Sequence, residues 1–254
     1  MNNIELAATL KSLHVPGRPL VLANVWDAAS AKLVAAAGFP AVATSSVAVA
    51  ETLGYPDGHG APVAEMLGAA ARIARVVDVP VTVDAEGGYG LPADEFVDRL
   101  LATGAVGCNL EDTDHAAGGG LIDIDRQAKY LADVRAAADR AGVPLVLNAR
   151  IDVVLATGRP ADQAPLVAPI VERAQAYLAA GADCVYPIAL RDPEAIRQVV
   201  AAVAPAPVNT NCPPDKAGIA AAAKLGSGRL SMGGGLWAVV RTGLAARLAD
   251  LTAE

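Results

Sequence analysis

The sequence predicts a single (β/α)8 TIM-type barrel, an α/β fold, on three observations. Eight apolar, β-branched runs alternate with alanine-rich stretches, glycines sit where those stretches should stop, and ionisable residues collect where the runs end. The first run, 19–27, precedes a helix candidate at 29–37 that Gly38 should terminate. The second run, 41–46, leads through a Gly-Tyr-Pro-Asp-Gly-His-Gly loop to a helix at 63–77. Run 80–86 precedes helix 93–103 and Gly104, and run 107–112 precedes helix 125–140 and Gly142. Run 144–152 is followed by helix 165–180 and Gly181, and run 183–189 by helix 193–203. The last units pair 206–211 with 215–224 before Gly226, and 229–235 with 236–251. A doubly wound open sheet is the competing architecture. Eight units of similar length, without a linker or composition shift, favour closure into one domain over residues 1–254.

Composition narrows the function. Of 254 residues, 54% are hydrophobic and only 4% aromatic, so the core should be packed from small aliphatic groups. A formal charge of -7 with no basic cluster argues against a nucleic-acid partner. The segment MNNIELAATLKSLH has no apolar signal core, and no apolar run is long enough to span a bilayer. A soluble, cytoplasmic protein without a membrane partner is therefore expected. Cys108, Cys184 and Cys212 share no close spacing, and the first two read as buried thiols. A small anionic metabolite remains compatible, because binding it needs only a local arginine or a metal.

In a parallel barrel the carboxyl ends of all strands share one face. That rule gathers Trp26 and Asp27, Ser45 and Ser46, Asp84 and Glu86, Glu111 and Asp112, Asn148, Arg150 and Asp152, and Asn209 and Asn211. The loop after the second strand adds Asp57 and His59. Strand alternation puts Asp84 and Glu86 on one side, before the glycine-rich Gly87-Gly88-Tyr89-Gly90, as a seat for a hard cation. Converging carboxylates repel unless protonated or bridged by a cation, and oxygen-only ligands favour Mg2+ or Mn2+ over zinc. Arg150 is the one cation at a strand end. It can fork onto a substrate carboxylate, or close an internal salt bridge to Glu111 or Asp84. Ser45 and Ser46 offer hydroxyl and backbone donors, or simply start a loop. His115 precedes three consecutive glycines in a loop that can move as a lid does. Trp26 and Tyr89 are either pocket walls or packing.

Five segments taken together resemble the isocitrate lyase / phosphoenolpyruvate mutase superfamily. They are Leu53-Gly54-Tyr55-Pro56-Asp57, Asp84-Ala85-Glu86-Gly87-Gly88-Tyr89-Gly90, Leu110-Glu111-Asp112, Asn148-Ala149-Arg150-Ile151-Asp152, and Arg173-Ala174-Gln175-Ala176-Tyr177 running on to Ala180-Gly181-Ala182-Asp183. They occur in family order across nearly the whole chain. The resemblance implies a (β/α)8 barrel that uses Mg2+ to hold small 2-oxo or 2-hydroxy acids while C–C or P–C bonds break. Asp84 then resembles the direct metal ligand, with Asp57, Glu86 and Glu111 acting mainly through waters. Arg150 faces the substrate, Ser45 and Ser46 occupy the carboxylate-binding turn, and Asn211 reaches the substrate from strand seven.

The departures bear on which bond breaks. The lyases of this family carry a cysteine in a Lys-Lys/Arg-Cys-Gly-His lid; here 113–121 has neither cysteine nor lysine. The lysine- or asparagine-bearing lids of the mutases and hydrolases are also missing. Tyr186-Pro187-Ile188 replaces the lyases' glutamate after strand six, Ala43 the aromatic before the serine turn, Ser46 its glycine, and Glu86 the second aspartate of the Asp-Ala-Asp motif. The expectation is a Mg2+-dependent C–C lyase of the isocitrate or 2-methylisocitrate type, or an oxaloacetate-type decarboxylase, passing through an enolate-like anion. In it Arg150 and Glu111 act on the substrate, Trp26 lines its pocket and His115 carries a proton. The alternatives are P–C chemistry, as in a phosphonopyruvate mutase or hydrolase, and a non-catalytic sensor of a 2-oxo acid such as 2-oxoglutarate. The family resemblance also implies a homodimer or homotetramer. Family members often exchange a carboxyl-terminal helix, for which little chain remains after residue 251.

Overall fold

A computed structural model describes residues 2–252; Met1, Ala253 and Glu254, which the expected span of 1–254 includes, lie outside it. The strands are β1 (Leu20–Leu22), β2 (Asn24–Val25), β3 (Val42–Thr44), β4 (Val81–Asp84), β5 (Gly107–Glu111), β6 (Val146–Ile151), β7 (Cys184–Pro187), β8 (Asn209–Asn211) and β9 (Arg229–Ser231). The helices are α1 (Asn3–Ser12), α2 (Ala28–Ala36), α3 (Ser46–Leu53), α4 (Val63–Ala74), α5 (Ala93–Ala102), α6 (Ile124–Arg140), α7 (Val153–Ala156), α8 (Val167–Ala179), α9 (Pro193–Val203), α10 (Lys216–Ala223) and α11 (Gly235–Thr252). Every paired strand is parallel, in the orders β2-β3-β4-β5-β6-β7 and β1-β9-β8. All eight expected runs are therefore present and follow one another around the barrel axis.

The hydrogen-bonded ladder does not close. Only the isolated bridge Val185↔Val208 joins β7 to β8. The first run is also split at Ala23, because the Asn24 amide takes over ladder positions: it donates to the Thr44 carbonyl at 2.8 Å and accepts the Met232 N–H at 2.9 Å.

Alternation along each strand separates two cores. Val83, Cys108, Leu110, Leu147, Ala149 and Val185 face outward into the main cluster beneath the helices. Leu20, Leu22, Ala43 and Val146 form a smaller cluster with Ala7 and Leu10 of α1. That helix, absent from the sequence expectation, plugs the amino-terminal end of the barrel. A side chain at Gly107 would place its Cβ 2.8 Å from Leu10 Cδ2, so the plug needs a glycine there. α3 occupies the stretch after β3 where the sequence predicts a loop. At the other terminus the expected helix is present, yet α11 buries none of its residues. It is tied to the barrel by Trp237 and Arg241, both bonded to Glu51.

Candidate active site

The carboxyl ends of the strands open on a cavity of about 980 Å³. Ser45, Ser46, Asp57, Asp84, Arg150 and Asn211 all line it. Asp84 ends β4 and is fixed from three sides. Its N–H donates to Thr44 Oγ1 at 2.8 Å, and its carboxylate accepts the Ser46 N–H at 3.2 Å and the Asn109 amide at 3.4 Å. The Ser46 bond puts that carboxylate at the amino end of α3, where a negative charge is stabilised.

Negative charge is crowded at this face. Burial, reinforced by the charge of Asp84, pushes the Asp57 pKa up. Burial raises Glu86 to about 7, with Asp57, Glu111 and Asp84 adding to the effect although the His59 N–H bond opposes it. Burial also raises Glu111, even though Arg150 and His115 favour its ionised form. In all three the main cause is burial, and neighbouring carboxylates add to it. A donor set made of carboxylate oxygens in a deficit of cations fits a hard divalent ion. Asp84 and Asp57 face the cavity and would hold it.

Arg150 is held more tightly than a free substrate clamp. Its Nε and Nη2 fork onto both oxygens of Asp152 at 2.8 Å each, and Nη1 pairs with Glu111. The internal salt bridge read from the sequence thus exists, with Asp152 in the place expected of Asp84. Asp152 is braced in turn by Thr113 Oγ1 at 2.6 Å and by its own N–H on Asp112 at 2.8 Å. Asp112 accepts from Tyr177 Oη at 2.7 Å and Arg173 Nη1 at 2.9 Å. The Arg173–Tyr177 motif is therefore scaffolding beneath Arg150.

Glu86, Glu111 and His115 are not among the cavity-lining residues. His115, expected to carry a proton, lies with Nε2 2.5 Å from Glu111 Oε1, and this bond raises its pKa. Its ring stacks 4.1 Å from that of His59. Burial, with His115 adding to it, lowers the His59 pKa to about 4, so its imidazole is neutral at pH 7. His59, Glu86 and His115 present one donor atom each within 4.8 Å of one another, a possible metal-binding group. Thr113↔Leu121 pairing closes the base of the His115 loop, and Gly118, Gly119 and Gly120 at its tip all have positive φ.

Trp26, expected against the substrate, instead packs on Trp237 with ring centroids 4.9 Å apart and joins Val49, Ala50 and Ala61 in an apolar cluster. Its large apolar surface is better buried against a second indole than against an acid. Tyr186, which the sequence marks only as a departure from the family pattern, lines the cavity and donates to Asn211 Oδ1 at 2.8 Å, leaving the Asn211 NH2 as donor. Period-two alternation with Cys184 on β7 was the available signal. Asn109, one step below Glu111 on β5, was likewise overlooked.

The phosphoenolpyruvate phosphomutase family profile matches residues 10–252. A solved structure from Burkholderia cenocepacia, provisionally described as a phosphonomutase, superposes with a TM-score of 0.88 at 42% identity, covering 96% of this chain and 99% of that one. The 2-methylisocitrate lyase of Escherichia coli is 31% identical over 210 residues, 76% of this chain and 68% of that protein. The oxaloacetate decarboxylase of Pseudomonas fluorescens is 33% identical over 183 residues, 70% of this chain and 60% of that protein.

Proposed function

The chain belongs to the phosphoenolpyruvate phosphomutase family, and we propose on that premise that it is a Mg2+-dependent carbon–carbon lyase or decarboxylase of a small 2-hydroxy or 2-oxo carboxylic acid, with Mn2+ able to replace Mg2+. The observation that carries this reading is the pair of carboxylates Asp57 and Asp84 at the wall of a cavity that also presents Arg150, with the buried Glu86 close enough to feel both charges. Relatives named for 2-methylisocitrate cleavage and oxaloacetate decarboxylation support the same chemistry.

When bound, the divalent cation supplies Lewis-acid stabilisation of the enolate-like charge that develops as the bond breaks. Asp84 would hold it directly, and Asp57, Glu86 and Glu111 would act on it mainly through water. Arg150, immobilised by Asp152 and Glu111, lines the cavity and neutralises substrate charge without a reorganisation step. The Ser45 and Ser46 hydroxyls, at the amino end of α3, seat a substrate carboxylate. Tyr186 fixes Asn211 so that its NH2 donates into the same space. His115 orients Glu111, and its glycine-tipped loop excludes water.

No helix among the described residues is long and apolar enough to cross a membrane, which agrees with a cytoplasmic location. The exposed Val239, Val240, Leu244, Leu248 and Leu251 of α11 support assembly as a homodimer or homotetramer. P–C chemistry is the second reading, favoured by the 42% identity to the Burkholderia protein. Proton and phosphorus NMR of isocitrate, 2-methylisocitrate, oxaloacetate and phosphonopyruvate, each with Mg2+ or EDTA and with Asp84→Ala as control, tests both. Mg2+-dependent product from a carbon acid is expected. Turnover of phosphonopyruvate alone transfers the site to P–C chemistry, and binding of a 2-oxo acid without any product makes the protein a sensor.

A further inference from the structure

We propose that His59, Glu86 and His115 form a second metal site, suited to a divalent ion of the zinc class, that clasps the loops at the cavity mouth. The three residues come from separate loops, following α3, β4 and β5, and their donor atoms lie within 4.8 Å of one another. His59 Nε2 is 3.8 Å from Glu86 Oε2. Two donors bound about 2.1 Å from a tetrahedral ion lie roughly 3.4 Å apart, so a small side-chain movement completes the pair.

The lone pairs are already sorted. His59 Nε2 accepts the Gly87 N–H at 3.2 Å, which marks it as the unprotonated nitrogen. A ligating His59 trades that long bond for the ion. His115 Nε2 faces the Glu111 carboxylate at 2.5 Å, and a neutral ring that donates from Nε2 keeps the Nδ1 lone pair for an ion. An imidazole that ligates through one nitrogen and donates through the other to a carboxylate is the usual support of a metal-bound histidine. Glu86 Oε2 accepts the His59 N–H and keeps a further lone pair for an ion. His59 (φ 61) and Glu86 (φ 49) are both held in the left-handed region, which for side chains of this size requires the surrounding loops to fix them.

The site lies beside the seat at Asp84 and shares Glu86 with it. None of its three residues lines the cavity, whereas Asp57 and Asp84 do. Two imidazoles with one carboxylate suit zinc-class ions, whereas Mg2+ demands oxygen ligands. The inference does not rest on the lyase reading, since it requires no substrate.

Cobalt reports such a site directly. Co2+ titrated into the metal-free protein, with Mg2+ in excess, is expected to bind at one equivalent with the visible absorption of a four- or five-coordinate, nitrogen-ligated ion. His59→Ala and His115→Ala should each raise the Co2+ Kd by at least about tenfold and bleach the band. Asp84→Ala and His14→Gln should keep it. Circular dichroism checks each variant, and His59→Gln, closer in size, replaces any that loses the native spectrum. A pale six-coordinate spectrum, a band that survives His59→Ala but not Asp84→Ala, or full displacement of Co2+ by Mg2+ would overturn the proposal.

Discussion

Two arginines lie in the barrel interior and are held in opposite ways. Arg150, at the mouth, has carboxylates on both sides. Arg229, on the floor, is 1% exposed and makes one hydrogen bond, from Nη2 to Asn109 Oδ1 at 3.1 Å, while its Nε and Nη1 meet no protein acceptor. Burial lowers its pKa accordingly. Asn109 joins the two regions, because it also accepts from Asn148 and donates to Asp84. The mouth thus has more carboxylates than cations, and the floor has a cation without a carboxylate. The comparison separates function from support: a group awaiting a cation belongs to the mouth, and a charge tolerated on amide dipoles belongs to the frame.

The largest effect expected from this contrast is that of Arg150→Met. It leaves Glu111 and Asp152 buried without their guanidinium partner, so stability should fall by about 3–5 kcal/mol in urea unfolding. Turnover should also fall, by about 10³-fold or more, because the same guanidinium faces the substrate. A mild loss would mean that water already screens the pair.

The two ends should then titrate with opposite signs. On the mouth side, Glu86 is raised to about 7 against an ordinary 4.5, so the folded chain keeps a proton that the unfolded chain loses between those values. Metal-free stability should fall as pH rises through that window, and Glu86→Gln should remove this slope. On the floor side, burial and then Arg229 lower His14 to about 4 from 6.5, so the unfolded chain takes up its proton first. That stability is fully present above about pH 6.5 and lost as pH falls toward 4, and His14→Gln should flatten it. Urea midpoints across pH for the two variants read both slopes, and slopes of the same sign would erase the distinction. The smallest effect belongs to Arg229→Met. With no counter-ion to strand, it should change stability by less than about 1 kcal/mol either way. A large loss there would show that Arg229 supports Asp84 through Asn109.

What the sequence made legible follows periodicities. Alternation of apolar and polar residues placed Asp84, Glu111, Arg150 and Asn211 at strand ends, and glycine stops set the helix boundaries to within a few residues. What it hid depends on contacts between distant segments. The α1 plug has a short apolar face and gains its meaning only against Gly107 and Val146. Asp152, rather than Asp84, forks with Arg150 because Thr113 and Asp112, some 40 positions earlier, hold its carboxylate and N–H in place. Trp26 was drawn to Trp237, more than 200 positions away in the chain. His59 and His115 meet only because two loops fold over one strand end.

The most direct measurement is calorimetric titration with oxalate, a planar dianion that copies the enolate of a 2-oxo acid. With Mg2+ present, oxalate should bind the native protein. EDTA or Asp84→Ala should weaken that binding by at least about 100-fold, or roughly 2.7 kcal/mol. Oxalate binding that is indifferent to both would contradict a metal-centred enolate site at Asp84.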